Sequence, residues 1–208
     1  MNPQNKKLVI FDFDGVLVNT IPFSFKEHKD RNPSLTWEKF QDFSNGNFHD
    51  GIGKEIATGL YKAHERWDET YSEKIKELKV IDIIIETISK LSLDYLLSIV
   101  SSSSTKCISN FLEKENLINY FSDVLGTDVD KSKIIKINSL LKKYNIKPID
   151  AVFITDSLGD ILEGNICGIN SIGVTWGIHP KKTLEKGHPI AIIDDPRDIF
   201  DLVKNVIK

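Results

Sequence analysis

The chain has 208 residues, of which 40% are hydrophobic and 27% are charged, and its formal net charge is −3. This length allows one substantial core that carries a smaller insertion, and the composition is that of a globular protein rather than a disordered or membrane one. The slightly acidic balance provides no positive field for nucleic acid or for a membrane surface, so it favours small-molecule chemistry.

The first predicted strand is the apolar run 7–11, which follows a short polar N-terminal stretch. Asp12 interrupts the run long before it reaches the length of a signal sequence or a membrane span, so we expect a cytoplasmic protein. The two cysteines, Cys107 and Cys167, show no CxxC or Cys/His spacing. They indicate neither a disulfide framework nor a zinc site.

The segment 20–78 differs from the rest of the chain because it contains no convincing strand and is rich in charged and aromatic residues. Residues 52–78 have a helical pattern for most of their length. We interpret 20–78 as a small helical insertion directly after the first strand, and 1–19 with 79–208 as the core domain. Its aromatic residues are expected to form its own core: Phe23, Phe25, Trp37, Phe40, Phe43, Trp67 and Tyr71.

Downstream, short apolar runs alternate with segments of helical pattern. The predicted strands are 95–100, 123–126, 151–155 and 171–176, and the predicted helical segments between them are 104–121, 131–146 and 157–169. Strands that are apolar on both faces are typical of a parallel sheet covered by helices. The sequence therefore predicts an α/β fold with a doubly wound, Rossmann-like parallel sheet.

Polar side chains follow the predicted strands, at the edge where ligands bind in open α/β sheets. They are Asp12 and Asp14 after the first strand, Ser101 and Ser102 after the second, Lys131 and Lys133 after the third, and Asp156 and Asp160 after the fourth. Clustered carboxylates repel one another, so they need a cation, and Mg²⁺ is the natural choice for oxygen ligands. A lysine and a hydroxyl opposite the metal suit a phosphate, with Asp12 placed as the nucleophile.

The order of these groups resembles the four motifs of the haloacid dehalogenase-like hydrolase superfamily. The residues that carry the resemblance are "DFDGVL" after the first strand, the serine after "LLSIV", the lysine of "KSKIIKI" and the acids of "ITDSLGD". The insertion is similar to the helical cap of the subgroup that contains phosphoglycolate phosphatase and β-phosphoglucomutase. We therefore call residues 20–78 the predicted cap.

The resemblance implies a role for each acid. Asp12 would become phosphorylated and would bind Mg²⁺ through its other oxygen, while Asp14 would be the general acid and base and would offer its backbone carbonyl to the metal. Asp156 would ligate Mg²⁺, and Asp160 would support the metal site or the lysine. Gly15 would let the backbone turn sharply beside the phosphate.

The resemblance also implies that Ser101 and Lys133 hold the transferring phosphoryl group. Two alternatives stay open from the spacing alone. Ser102 could share the role of Ser101, and Lys131 is a rival to Lys133.

The glycine-broken stretch 44–53 of the predicted cap could fold over the mouth of the site. Asn47 and His49 are then possible substrate contacts, and an ordinary turn between helices is an equal alternative. Trp176 and His179 are expected to line the loop that flanks the metal site.

Together these features predict a Mg²⁺-dependent phosphatase that hydrolyses a small phosphorylated metabolite through an aspartyl phosphate on Asp12. The alternatives are a phosphomutase of the same family and a non-enzymatic phosphoacceptor or metal-binding signalling module. No motif specifies the substrate or the oligomeric state.

Overall fold

The computed structural model describes residues 7–59, 62 and 67–207. Six parallel strands form one sheet: β1 (Lys7–Phe11), β2 (Tyr95–Val100), β3 (Asp123–Leu125), β4 (Ala151–Thr155), β5 (Asn170–Val174) and β6 (Ala191–Ile193). Their order is β3-β2-β1-β4-β5-β6, so the first strand lies at the centre. This confirms the predicted doubly wound α/β fold.

The strand β6 was not predicted from the sequence. This strand has three residues, pairs with β5 alone and is only partly buried. Its apolar run 190–193 is short and follows Pro189, so the local pattern did not distinguish a strand from a loop.

Helices connect the strands. Between β1 and β2 lie α1 (Ile21–Arg31), α2 (Trp37–Asp42), α3 (Phe48–Ala57), α4 (Trp67–Ile75) and α5 (Asp82–Asp94); after β2 come α6 (Thr105–Lys114), α7 (Lys133–Tyr144), α8 (Leu158–Ile166), α9 (Lys181–Leu184) and α10 (Ile199–Val206). We call α1 to α4 the cap. Within the predicted helical stretch 52–78, α3 and α4 are observed, and residues 60, 61 and 63–66 lie outside the described residues. The domain boundaries at 19/20 and 78/79 stay predictions.

Both faces of the sheet are covered. Val9 and Phe11 of β1 point into a core formed with α5, α6 and α10, whereas Leu8 and Ile10 point into a second core formed with α7. All four side chains are fully buried. Burial of each such side chain contributes roughly 1.5–3 kcal/mol, which favours an apolar run in β1 up to its end at Phe11.

The strand register explains where the site forms. Phe11 pairs with Ile99 of β2 and with Ile154 of β4. The next residue, Asp12, donates its backbone N–H to the carbonyl of Ile154 at 2.9 Å. Residues that follow β1, β2 and β4 therefore meet at one edge of the sheet.

The aromatic residues of the cap do not form one separate core. Phe40 and Phe43 pack with Leu35 and with Ile178 of a loop after β5. Tyr71, in contrast, belongs to the main core below the cap. The prediction of an independent cap core was therefore wrong in part, because the cap closes onto the sheet edge and shares its apolar contacts with it.

Within the part of the chain that the structure describes, no helix is both long and apolar enough to cross a membrane.

Candidate active site

A buried cluster of opposite charges lies at the carboxyl edge of the sheet. The Lys133 ammonium is 3.0 Å from Oδ2 of Asp12 and 2.7 Å from Oδ2 of Asp160. Carboxylate oxygens of Asp12, Asp156 and Asp160 lie within 4.8 Å of one another. All four side chains are nearly inaccessible to solvent.

Two helix starts bring Asp160 and Lys133 into contact. Ser157 caps α8, where its hydroxyl accepts the Asp160 N–H at 3.2 Å, and the Thr155 hydroxyl donates to Asp160 Oδ2 at 2.6 Å. Lys133 is the first residue of α7, and its N–H donates to Glu163 Oε1 at 3.2 Å. The Thr155 hydroxyl therefore orients the acid that faces Lys133.

The charges in this cluster are unequal. Burial raises the pKa of Asp12 well above its usual value, although Lys133 opposes the shift, and burial raises the pKa of Asp156 to about 7. Burial alone would raise the pKa of Asp160, but the charge of Lys133 has the larger effect and lowers the pKa of that carboxyl. Burial opposes the charge of Lys133, yet Asp12 and Asp160 raise the pKa of its ammonium. The single ammonium of Lys133 thus faces several buried carboxylates. The remaining negative charge can be balanced by a second cation.

The backbone packs closely around the carboxylate of Asp156. A Cβ on Gly15 would lie 2.0 Å from Asp156 Oδ2, and one on Gly177 would lie 2.1 Å from the same atom. The Ile178 N–H donates to that oxygen at 2.7 Å. Gly15 also has φ +72°, a conformation that side chains rarely adopt. The two glycines therefore let the chain pass close to Asp156, and the carboxylate oxygens of the cluster are the donors that Mg²⁺ prefers.

Asp14 is held by hydroxyl groups. Its Oδ1 accepts hydrogen bonds from Thr20 at 2.7 Å and from Tyr71 of the cap at 2.6 Å. Its Oδ2 accepts from Ser103 at 2.7 Å and from Ser101 at 3.4 Å. Burial, together with the charge of Asp14, raises the pKa of Tyr71 well above its usual value, so the phenol remains a donor.

The serine run after β2 divides into different positions. Ser101 is fully buried and its Oγ accepts the Ser103 N–H at 3.0 Å, whereas Ser102 is partly exposed and lines the cavity described below. Lys136, fully buried, donates to the carbonyl of Ser101 at 2.6 Å and to that of Gly126 at 3.3 Å. Burial lowers the pKa of Lys136 to about 8.

The structure separates the two candidate lysines of the third motif. Lys133 lies inside the charged cluster, whereas Lys131 is exposed and only its backbone carbonyl makes a described hydrogen bond, to Asn47 at 3.0 Å. The geometry therefore favours Lys133 over Lys131. The difference comes from the start of α7, which turns the first helical residue inward.

Asn47 and His49 occupy different positions. Asn47 caps α3 by accepting the His49 N–H at 3.1 Å, and its amide nitrogen lies 3.3 Å from Glu163 Oε1. His49 lines the cavity, and its Nε2 is 3.1 Å from the Thr127 hydroxyl. Burial lowers the pKa of His49. Asn47 thus links the cap to α8, and His49 is the one of the two that faces the cavity.

His179 is a second link between cap and core. Its Nδ1 accepts the Leu158 N–H at 2.9 Å, so the proton is on Nε2, which contacts the Gln41 carbonyl at 3.0 Å. Burial lowers the pKa of this imidazole. The side chain is buried and joins α8 to the cap, rather than simply lining a loop. Trp176 donates its indole N–H to the Val16 carbonyl at 3.2 Å.

Sequence reasoning missed four polar residues of this region: Tyr71, Ser103, Lys136 and Glu163. Ser103 lies in the serine run, and Lys136 lies three residues after Lys133, so spacing could have indicated both. The role of Tyr71 as a hydrogen-bond donor was not predicted, because the sequence pattern indicates only an aromatic core residue at this position.

A cavity of about 320 Å³ lies between the cap and the charged cluster. Asp12, Asp14, Lys133, Asp156 and Asp160 form its polar floor. Its size is at the lower end of the range for small-molecule sites.

The fold and this site define a class of protein. The family model of the haloacid dehalogenase-like hydrolases matches residues 9–174, and the chain belongs to this family. The match confirms the family predicted from the four motifs and identifies the chain as a hydrolase of that fold.

Individual relatives agree with this assignment. The chain is 24% identical to a phosphoglycolate phosphatase of Vibrio parahaemolyticus, over 98% of each chain. It resembles the structure of a haloacid dehalogenase-like family hydrolase from Streptococcus pneumoniae, with TM-score 0.77, 21% identity and coverage of 97% and 99% of the two chains. A hydrolase from Pseudomonas syringae has TM-score 0.81 at 17% identity, with coverage of 98% and 100%.

Proposed function

We propose that the protein is a Mg²⁺-dependent phosphatase that hydrolyses a small phosphomonoester through an aspartyl phosphate on Asp12. The observation that carries the proposal is the contact of Lys133 with Asp12 and Asp160, beside the carboxylate of Asp156. A nucleophilic carboxylate, a fixed ammonium and further acids for a metal are the groups that phosphoryl transfer requires.

The carboxylates present fit the metal. Asp12, Asp156 and the backbone carbonyl of Asp14 are the proposed ligands, and Asp160 lies in the same cluster and orients Lys133. Bound Mg²⁺ would supply positive charge that reduces the repulsion between a carboxylate and a phosphoryl dianion.

The two steps use Asp12 and Asp14 in turn. An Asp12 oxygen forms a bond to phosphorus while the bond to the leaving oxygen breaks, and Asp14 gives that oxygen a proton. Asp14 then takes a proton from water, whose oxygen attacks phosphorus and releases phosphate and free Asp12. The four hydroxyl contacts to Asp14 support this role because they fix the direction of its carboxylate.

Lys133 and the serines after β2 are the proposed phosphate holders. The Lys133 ammonium faces the nucleophile, so it would neutralise charge on the transferring group. Ser101 presents a hydroxyl beside Asp14, and Ser102 lines the cavity directly. The phosphatase activity named for the Vibrio relative supports the same reaction here.

The test measures hydrolysis of an aryl phosphate with Mg²⁺ and with a chelator. We expect activity that requires Mg²⁺ and falls by at least about a thousandfold in Asp12→Asn, because the nucleophile is lost. Asp201→Asn changes an exposed aspartate on α10 in the same way and is expected to have no effect.

A Mg²⁺-loaded protein that hydrolyses no member of a broad phosphomonoester panel would contradict the proposal. Interconversion of sugar phosphate isomers without release of free phosphate would identify a phosphomutase instead. An aspartyl phosphate that forms with acetyl phosphate and persists would identify a phosphoacceptor module.

A further inference from the structure

The part of the cavity that lies away from the acids has an apolar wall. Its side chains come from all four helices of the cap and from the loop after β5: Ile21, Phe40, Phe48, Ile52, Trp67 and Ile178. Trp67 is additionally stacked on the ring of His28, with centroids 4.9 Å apart, and His28 also lines the cavity. This wall offers aromatic and branched aliphatic side chains to whatever is attached to the phosphoryl group.

Asp12, Asp14, Lys133, Asp156 and Asp160 line the cavity at the sheet edge, and Asp68 of α4 adds a carboxylate on the cap side. Among the described lining residues, the only lysine or arginine is Lys133, and its ammonium already contacts Asp12 and Asp160. A second anionic group on a substrate would therefore be desolvated against the apolar wall, which is costly without a partner. An uncharged carbon skeleton would instead gain from burial there.

We propose that the substrate is a phosphomonoester of an uncharged alcohol whose body is apolar and of about the size of one ring. This inference rests on the proposed phosphatase function and specifies its substrate class. Ile52, on the α3 face that lines the cavity, is a specificity-determining residue, because it packs with the cap cluster of Leu35, Phe40 and Phe43 and also borders the cavity.

The expected size of the preference follows from buried area. Each methylene that is buried improves binding about fourfold. A benzyl group in place of a methyl group on the same phosphonate is therefore expected to bind at least about tenfold more tightly.

The experiment compares three phosphonates, which bind without being hydrolysed: benzylphosphonate, methylphosphonate and phosphonoacetate. Their affinities for the Mg²⁺-loaded protein are measured by titration calorimetry, and turnover of benzyl phosphate, ethyl phosphate and phosphoglycolate is measured in parallel. We expect benzylphosphonate to bind most tightly and phosphonoacetate no more tightly than methylphosphonate.

Variants of one helix test the role of the wall. Ile52→Ala is expected to reduce the preference for benzyl over methyl severalfold, and Ile52→Lys is expected to shift the preference toward phosphonoacetate. Lys54→Ala, an exposed change on the same helix, is expected to leave all three affinities unchanged.

Tighter binding of phosphonoacetate than of benzylphosphonate overturns the inference. The inference is also overturned if benzylphosphonate binds no more tightly than methylphosphonate, or if none of the three phosphonates binds. It is overturned as well if Ile52→Ala changes the affinities for all three phosphonates equally. If the phosphonates bind in the expected order but no phosphate ester is hydrolysed, the apolar binding preference is supported and the proposed phosphatase function is refuted. If phosphoglycolate is hydrolysed best, only the proposed substrate class is refuted.

Discussion

Replacement of Lys133 by methionine tests the electrostatics of the site most directly. The change keeps an unbranched apolar stem and removes the ammonium that contacts Asp12 at 3.0 Å and Asp160 at 2.7 Å. Two buried carboxylates then lose the cation between them. In the absence of metal the folded state must either keep them charged or bind protons.

The magnitude follows from the burial of all three side chains. Removal of one partner from a buried ion pair costs about 3–5 kcal/mol. For a chain of this size each kcal/mol shifts the melting temperature by about 2–4 °C, so Lys133→Met is expected to melt about 6–20 °C lower at neutral pH in a chelator.

The deficit should depend on pH and on Mg²⁺. In the parent protein Asp160 has a lowered pKa, so it contributes stability at neutral pH that is lost as the pH falls through its folded-state value. The variant lacks this contribution, so the two proteins should converge as the pH falls below about 4, the pKa of an aspartate in the unfolded chain. Mg²⁺ should stabilise the variant more than the parent, since the site is one charge more negative.

Thermal unfolding at several pH values, with chelator and with Mg²⁺, measures these effects. Lys131→Met is the matched control, because this lysine is exposed and we expect a change within about 0.5 kcal/mol. A deficit that is the same at every pH and with Mg²⁺, or a similar deficit in Lys131→Met, would refute the assigned charge contacts.

Three other predictions concern the same site. The pKa of Asp156 is raised to about 7 in the folded protein, so between about pH 4 and 7 the unfolded chain binds fewer protons than the folded one. Urea titrations in a chelator should therefore show that the free energy of unfolding decreases as the pH rises from about 4 to 7. A free energy that does not change over this range would argue against the burial of Asp156. Gly177→Ala places a Cβ 2.1 Å from Asp156 Oδ2, so calorimetry should show that Mg²⁺ binds at least about tenfold more weakly. In the control variant Gly53→Ala the added Cβ has no atom within 4 Å, and Mg²⁺ should bind normally. Tyr71→Phe removes the 2.6 Å hydrogen bond to Asp14 and should lower kcat/KM for an aryl phosphate about tenfold; an unchanged value would show that the tyrosine does not position Asp14.

Much of the fold could be predicted because strand and helix patterns are local. The runs 7–11, 95–100 and 151–155 coincide with β1, β2 and β4, since central parallel strands are apolar on both faces. The edge strand β6 was not predicted because it is short and only partly buried. The cap was read as helical, but its pattern alone did not show that Tyr71 packs into the main core.

Part of the site could be predicted because some of its residues directly follow strands. Asp12, Ser101 and Asp156 come directly after β1, β2 and β4, and parallel strands bring their carboxyl ends to one edge. Lys133 and Lys131 could not be separated by spacing, because the choice depends on which residue begins α7 and which way its side chain points.

The sequence by itself determined the hydrolase class, because its motifs resemble those of the family and place acids and a hydroxyl at strand ends that any parallel sheet of this pattern would bring together. Tertiary structure alone decided which lysine pairs with Asp12, how Tyr71 reaches Asp14 and how apolar the wall above them is. These features depend on contacts between residues far apart in the chain, such as Tyr71 of the cap with Asp14, and no local pattern records the orientation of one packed element against another.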